Sequence, residues 1–311
     1  MVNLPLAIIQ AVVLVSIAPL VTGIIRKLKA LLQSRRGPPI WQPYYDLQKL
    51  FRKDSIVSHD ASWLTRITPF VCMTAMLLAA LLVPAFTTSS LGFLGDLIVL
   101  VYLFAMFRFF MALAALDAGS AFGGMGSSRE MMVSSVIEPA ILMAIFSTAL
   151  LTGTTDLSGI ANTLATSGWE LVVPSLFLGF GAFFIALLAE NARVPVDNPA
   201  THLELTMIHE GMLLEYSGKD LALMELSSMM KLVLFLAIAW SAFFPWGIAT
   251  QLTLGSVALG LLVFALKLIA LVVVIALIES SMAKMRLFKL PNLLTVSFIL
   301  AFLAVMSFYV L

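Results

Sequence analysis

The chain has 311 residues and a formal net charge of +1 at pH 7; 61% of its residues are apolar and 11% are charged. Soluble domains usually have roughly 45–50% apolar and about 25% charged residues. The composition therefore predicts a protein whose solvent is mostly lipid, and it excludes the strongly basic face that nucleic acids require.

The sequence has one cysteine, Cys72, within an apolar run. An iron–sulfur cluster takes about four cysteine ligands, so this chain alone cannot hold one. The sequence also has no glycine-rich phosphate or dinucleotide loop and no His-Glu-x-x-His motif. We therefore expect no cofactor on this chain and any electron chemistry on a partner.

Eight apolar stretches are long enough to cross a hydrocarbon core of roughly 30 Å. They predict an all-α, polytopic integral membrane protein with one membrane domain over residues 1–311. In chain order the predicted spans are 4–25, 67–88, 94–116, 130–152, 171–190, 226–247, 254–279 and 292–311.

The basic residues predict the orientation of these spans. Fourteen lysines and arginines lie in the connections after spans one, five and seven, and Arg129 directly precedes span four, whereas the connections after spans two, four and six contain none. Cytoplasmic loops accumulate Lys and Arg, so both termini should face away from the cytoplasm. We then expect a cytoplasmic amphipathic loop over 26–66, a Gly-rich one over 117–129 and an acidic one over 191–225.

Two charges within the spans are the first functional candidates, because an ionisable group at mid-bilayer costs at least about 2.5 kcal/mol. At 1.5 Å per residue, Arg108 in span three and Glu138 in span four lie roughly 12 Å from the same edge. We expect an ion pair or a shared hydrated pocket; a purely structural pair is the alternative. Pro139 would free a backbone carbonyl beside Glu138, where water can bind.

Three further charges lie in or at the ends of spans. Lys267 is near the middle of span seven, too deep for its ammonium to reach the interface easily. Glu190 and Glu279 stand at the cytoplasmic ends of spans five and seven. For these two glutamates, a solvated helix end explains the position as well as a proton path does.

The first two cytoplasmic loops have distinct compositions. In loop 26–66, the segment from Trp41 to Lys53 mixes aromatic and charged residues and predicts a helix in the interface plane, with a lipid-binding basic patch as the alternative. In loop 117–129, four glycines permit close packing, and Ser127 or Ser128 could cap span four, with Glu130 in its first turn.

The loop 191–225 is acidic, which is unusual on the positive side of a membrane protein. It indicates either a docking surface for a peripheral partner or a polar funnel to a site. Two histidines, His202 and His209, lie among its acids, but the spacing fits no standard zinc signature, so we expect no metal.

Four sets of residues resemble one known family. They are 35–38 with 41–42 and 46–51, 116–120 with 126–130, 195–197 with 215–218, and 278–284. The chain resembles membrane subunit 1 of respiratory complex I. The resemblance is closer to the branch found in energy-converting nickel–iron hydrogenases, which includes formate hydrogenlyase subunit 4 and hydrogenase-4 component C. It covers essentially the whole chain.

The resemblance implies a subunit of the cell inner membrane that anchors a peripheral arm and touches lipid. Hydrogenase large and small subunits would carry the NiFe centre and iron–sulfur clusters, and antiporter-like membrane subunits would lie beside this chain. The implied docking residues are Arg35, Arg36, Gly37, Pro38, Asp46, Lys49, Asp117, Arg129, Glu130 and Tyr216. The implied proton path draws on Glu138, Arg108, Glu190, Glu279, Lys267, Asp197, Glu204, Glu210 and Glu215.

Two alternatives stay open on the sequence. In a complex I-like dehydrogenase this subunit would line a quinone tunnel instead. A secondary transporter acting alone would also bury charge at the midplane, and Lys267 and the Glu138-Pro139 pair would suit one. The sequence shows no convincing internal repeat, which disfavours the transporter.

Overall fold

A computed structural model of the chain describes residues 4–58, 61–87, 96–167, 173–198, 208–249 and 253–310. Apart from two isolated β-bridges, the secondary structure of these residues is helical. The α-helices are α1 (Leu4–Leu32), α2 (Gln42–Phe51), α3 (Trp63–Leu82), α4 (Leu97–Asp117), α5 (Ala121–Thr152), α6 (Leu157–Thr166), α7 (Pro174–Glu190), α8 (His209–Leu213), α9 (Gly218–Phe243), α10 (Leu254–Ser281) and α11 (Leu290–Val310).

Seven of the described helices are long and apolar enough to cross a membrane: α1, α3, α4, α5, α9, α10 and α11. The apolar helix α7 has 17 residues, the lower limit for a span, and corresponds to the predicted span 171–190. The predicted all-α, multi-pass membrane fold is confirmed. The side that each terminus faces stays a prediction from the charge pattern.

The prediction of a glycine-rich loop over 117–129 is wrong for most of its length, because α5 already begins at Ala121. Its N-cap is Ser120, whose hydroxyl accepts a hydrogen bond from the Gly123 amide at 3.1 Å, rather than Ser127 or Ser128. A Cβ on Gly123 would lie 2.5 Å from the Ala115 carbonyl oxygen, and one on Gly126 would lie 2.8 Å from that of Ile208. Close packing outweighs glycine's helix penalty of about 1 kcal/mol.

The other two predicted loops contain helices as well. In 26–66, α1 continues to Leu32 and is followed by α2, which buries Leu47 while Trp41 and Tyr45 stay exposed. In 191–225, the short helix α8 precedes α9, which begins at Gly218 rather than at the predicted 226. These segments pack on the ends of the spans.

Helix α9 lies at the centre of the fold and contacts α1, α3 and α7. Every residue from 229 to 239 is buried, as expected for a helix that is apolar all round. Within 229–239 the one charged residue is Lys231, which is 1% exposed. Around this helix, α5 contacts α4, α7 and α11, so a charge on α9 can meet charges from several spans.

Candidate functional site

Four side chains from four helices form a continuous row of ion pairs, which we call the charge chain: Glu138, Arg108, Glu190 and Lys231. The Arg108 guanidinium contacts Glu138 and lies 2.7 Å from Glu190 Oε2 through its Nη1. The other oxygen of Glu190, Oε1, lies 2.7 Å from Lys231 Nζ. The helices α5, α4, α7 and α9 thus each supply one charge.

The charge chain is mostly buried and balances its own charge. Arg108 and Glu190 are each 3% exposed, and a buried ion is tolerated when it is paired. Arginine can bridge two carboxylates because its guanidinium presents several donors in one plane. Two carboxylates and two cations therefore share a row in which each inner residue has a neighbour of opposite charge on both sides.

One end of the charge chain is open. The Glu138 side chain is 40% exposed, and it lines a cavity of about 360 Å³ between α4 and α5, with Arg108 and Ser134 as the other polar residues. Around the cavity stand the exposed side chains of Tyr102, Phe109 and others. The chain thus runs from the enclosed Lys231 to an outward-facing pocket.

The sequence predicts Glu130 in the first turn of span four, and that position is wrong; its docking role stays a prediction. The helix α5 starts nine residues earlier, so Glu130 is inside the helix and 7% exposed. Its electrostatic neighbours are Lys231, Glu190, Arg108 and Asp197. Glu130 therefore lies within range of the charge chain and of the acidic loop.

Two further buried carboxylates lie outside the charge chain. Glu279 is 5% exposed and pairs with Lys29 at 3.2 Å and Arg193 at 3.3 Å, so it is not a solvated helix end. Asp197 is 2% exposed; it pairs with Lys284 at 2.5 Å and accepts a hydrogen bond from the Ile208 amide at 3.1 Å. Both tie the segment after α7 to the C-terminal end of α10 or to the residues just beyond it.

Lys267 pairs with no carboxylate in the described part of the chain. Its Nζ donates hydrogen bonds to the carbonyl oxygens of Phe244 and Trp246, each at 2.6 Å. Those carbonyls follow the end of α9, where the unpaired carbonyls of a helix terminus favour a cation. The structure therefore ties Lys267 to the backbone at that terminus.

The other described acids of loop 191–225 are less buried than Asp197. Glu215 is exposed, and Glu210 is half-buried at the start of α8. Glu204 and His202 lie outside the described residues. His209 bonds Ser228 Oγ at 3.2 Å through Nε2, and burial lowers its pKa to about 4, so its ring is neutral at physiological pH.

The predicted docking residues divide by exposure. Those fully on the surface are Arg35, Arg36, Gly37, Pro38 and Lys49, while Asp46, Asp117 and Arg129 are half-buried. The Asp117 carboxylate accepts hydrogen bonds from Thr65 Oγ1 at 2.6 Å and from the Ser62 amide.

Tyr216 is buried, and its hydroxyl donates to the Thr65 carbonyl at 3.2 Å. Tyr216 and Glu130 are both buried against other parts of this chain, and their role in docking stays a prediction.

Sequence reasoning gave Lys231 no role, although the structure makes it the inner end of the charge chain. Its signal is a single lysine among eleven otherwise apolar, buried positions. An intramembrane lysine needs a partner, so the sequence predicts that one exists without saying which carboxylate it is.

Comparisons with known proteins agree with this architecture. The family model described as NADH dehydrogenase matches residues 4–310. Hydrogenase-4 component C of Escherichia coli is 37% identical, covering 96% of this chain and 93% of that protein. Formate hydrogenlyase subunit 4 of Escherichia coli is 39% identical and covers 96% of each chain.

More distant relatives share the fold. An NADH-quinone oxidoreductase subunit of Rubrobacter xylanophilus is 29% identical, covering 73% of this chain and 70% of that protein. A chain of the membrane-bound sulfane sulfur reductase, an archaeal respiratory membrane complex, superposes with a TM-score of 0.85 at 23% identity over 97% of this chain and 98% of that one. The chain belongs to the NADH dehydrogenase family.

Proposed function

We propose that this chain is the membrane anchor and proton-path subunit of an energy-converting hydrogenase of the formate hydrogenlyase type. The observation that carries the proposal is the charge chain, which joins four spans and ends in an outward-facing cavity at Glu138. The similarity to hydrogenase-4 component C and formate hydrogenlyase subunit 4 over nearly the whole chain supports the hydrogenase branch.

In this proposal the redox chemistry belongs to partners. Peripheral hydrogenase large and small subunits carry the NiFe centre and iron–sulfur clusters, and they dock on the exposed part of loop 26–66 that includes Arg35, Arg36 and Lys49. Their reaction consumes protons and electrons. The membrane chain holds the arm on the bilayer and provides groups that respond to charge changes beside it.

The proton path uses the two carboxylates of the charge chain. When Glu138 takes up a proton, it loses its attraction for Arg108, and the guanidinium then pairs with Glu190 alone. Release of the proton restores both contacts. Arg108 stays charged throughout, so it changes its pairing between the two carboxylates and does not itself carry the proton.

Glu130 and Asp197 connect the charge chain to the acidic loop. Both are buried, and both lie within electrostatic range of one another. A change of charge on the docked arm would reach Lys231 and Glu190 through these two acids. We leave Lys267 out of the path, because its partners are carbonyls that do not titrate.

The open end at Glu138 faces a partner. A carboxylate that is partly exposed within a span is costly against lipid, so a neighbouring membrane subunit should cover it. Antiporter-like subunits, which bring polar groups into the membrane, fit this place. The proton would then pass from Glu138 into that subunit.

The test is gentle solubilisation of native cell membranes, affinity capture of this chain, and mass-spectrometric identification of the proteins that accompany it. We expect a NiFe large subunit, a cluster-bearing small subunit and hydrogen evolution by the captured complex. Recovery of a dehydrogenase module with bound quinone would replace the proposal with a quinone-tunnel subunit. A chain recovered alone that moves a solute in liposomes would establish a transporter.

A further inference from the structure

The imidazole ring of His209 lies between the acidic loop and the charge chain. His209 is the first residue of α8, and its Nε2 lies 3.2 Å from the hydroxyl oxygen of Ser228 on α9. Ser228 precedes Lys231 by three residues, so the two side chains are neighbours on one face of α9. Lys231 in turn lies 2.7 Å from Glu190 Oε1. The imidazole therefore bonds a hydroxyl group that adjoins the inner end of the charge chain.

Close packing on α5 fixes the position of α8. A Cβ on Gly126 would lie 2.8 Å from the Ile208 carbonyl oxygen, so glycine lets the start of α8 rest against α5. Glu130 follows Gly126 by about one turn on the same face of α5. The electrostatic neighbours that Glu130 and His209 share are Lys231, Glu190 and Asp197. His209 and Glu130 thus belong to one cluster of charged and titratable groups.

Asp197, the buried acid beside His209, has donors on both of its carboxylate oxygens. Its Oδ1 pairs with Lys284 at 2.5 Å and accepts from the Asn198 amide at 2.8 Å. Its Oδ2 accepts from the amides of Ile208 at 3.1 Å and His209 at 3.4 Å. Asp197 therefore holds the start of α8 in place and has no unoccupied oxygen for a proton that arrives from the loop.

The imidazole of His209 has the chemistry that such a step requires. A neutral imidazole has one nitrogen with a proton and one with a lone pair, so it can take up a proton at one nitrogen and release one from the other. In the described part of the chain, Ser228 is the one group that bonds the ring. Burial and the charge of Lys231 lower the pKa of His209 to about 4, so a proton that reaches the ring is passed on rather than held.

We propose that His209 carries protons between the acidic loop and Glu190, with the Ser228 hydroxyl as the intermediate. A proton binds Nδ1 of the neutral ring, and the N–H bond at Nε2 breaks as the Ser228 oxygen accepts that proton. The hydroxyl releases its original proton to a Glu190 oxygen, which then loses its attraction for Arg108 and Lys231. Rotation of the ring restores the starting tautomer. This inference rests on the proposed function, because it adds an entry to the same path.

The test uses the complete complex in inverted membrane vesicles with a pH-sensitive dye. His209→Gln keeps a side chain that can bond Ser228 but cannot titrate, so proton movement should fall about 100-fold. Hydrogen evolution by the captured complex from reduced methyl viologen should persist, because that reaction belongs to the partner subunits. In His209→Ala, imidazole added to the buffer should restore proton movement, which a merely structural role of the side chain would not allow.

Ser228→Ala removes one hydroxyl group and tests the relay even if the histidine variants do not assemble. It should slow proton movement, because the ring then lacks its hydrogen-bond partner. The matched control is Ser307→Ala. The Ser307 hydroxyl bonds the Ala304 carbonyl near the C-terminal end of α11, so its loss should leave proton movement unchanged. Equal rates in the two serine variants would overturn the inference.

An unchanged rate of proton movement in His209→Gln would also overturn it. If Glu138→Gln were still defective in the same assay, the proposed function would stand without this entry. A loss in His209→Ala that imidazole does not restore would contradict the relay as well, since the side chain would then only hold α8 in place. Absence of proton movement in the unsubstituted vesicles would instead overturn the proposed function, and this inference with it.

Discussion

Lys231 and Lys267 are both lysines within membrane helices, yet their surroundings differ. Lys231 on α9 is 1% exposed, and its ammonium lies 2.7 Å from a Glu190 oxygen. Lys267 on α10 is half-buried, and its ammonium bonds two backbone carbonyls at 2.6 Å. One lysine is paired with a titratable group, and the other closes the end of a helix.

The difference shows that the partner's chemistry, rather than the depth of a charge, decides what an intramembrane lysine does. A carboxylate can gain or lose a proton, so the field that Lys231 exerts on Glu190 can be changed by events nearby. A carbonyl cannot take up a proton at physiological pH, so Lys267 has a constant environment. Substitutions of the two lysines and of the charge chain test this contrast.

The largest effect is expected for Lys231→Met. Among the described residues it leaves the buried Glu190 with Arg108 as its single cationic partner, and breaking a buried ion pair on one side costs about 3–5 kcal/mol. The free energy of unfolding of the purified chain, measured by denaturant titration in detergent, should fall by that amount.

The matched control is the double variant Lys231→Met with Glu190→Gln. It removes the uncompensated charge, so it should be more stable than Lys231→Met alone. If the double variant were less stable by the sum of both single changes, Lys231 and Glu190 would not be coupled, and the contrast with Lys267 would fail.

The next effect is on proton movement rather than stability. Glu138→Gln keeps the size of the side chain, and Arg108 retains Glu190, so the complex should assemble. Proton movement should fall about 100-fold, as for removal of a positioned proton-transfer group. A pH-sensitive dye in inverted membrane vesicles would measure it, with hydrogen evolution recorded in parallel.

Glu215→Gln serves as the control, since Glu215 is an exposed acid with no ion pair to the described part of the chain. It should leave proton movement unchanged. Equal rates of proton movement in the Glu138→Gln and unsubstituted vesicles would mean that the charge chain has only a structural role. The sequence left this alternative open for Arg108 and Glu138.

Properties that depend on position along a helix were predictable from the sequence. Hydropathy and length identified the spans, and equal depth predicted that Arg108 and Glu138 meet. The partner of Lys231 was not predictable, because Glu190 lies 41 positions away on a helix whose contact with α9 depends on how the bundle packs. Depth is read along one axis, whereas a contact also depends on which face of each helix turns inward.

The prediction of where α5 begins was wrong for a related reason. Four glycines between Asp117 and Arg129 favour a loop by intrinsic propensity, yet Gly123, Gly124 and Gly126 are helical. Neighbouring backbone lies too close to Gly123 and Gly126 for a side chain, which explains glycine at those two positions. Because α5 begins at Ala121, Glu130 lies inside the helix rather than in its first turn, as a buried acid near the charge chain. Local propensity was overridden by a tertiary contact that the sequence does not display.

The smallest expected effect is that of Lys267→Met, and it completes the comparison. The substitution leaves the carbonyls of Phe244 and Trp246 without their donor, which should cost about 1–3 kcal/mol, less than Lys231→Met, because no buried carboxylate loses its counter-charge. Denaturant titration would measure that cost. Proton movement in vesicles should stay at the unsubstituted rate, since no titratable partner is affected. If Lys267→Met lost as much proton movement as Glu138→Gln in a complex that still assembles, Lys267 would belong to the proton path. The two lysines would then not differ in function.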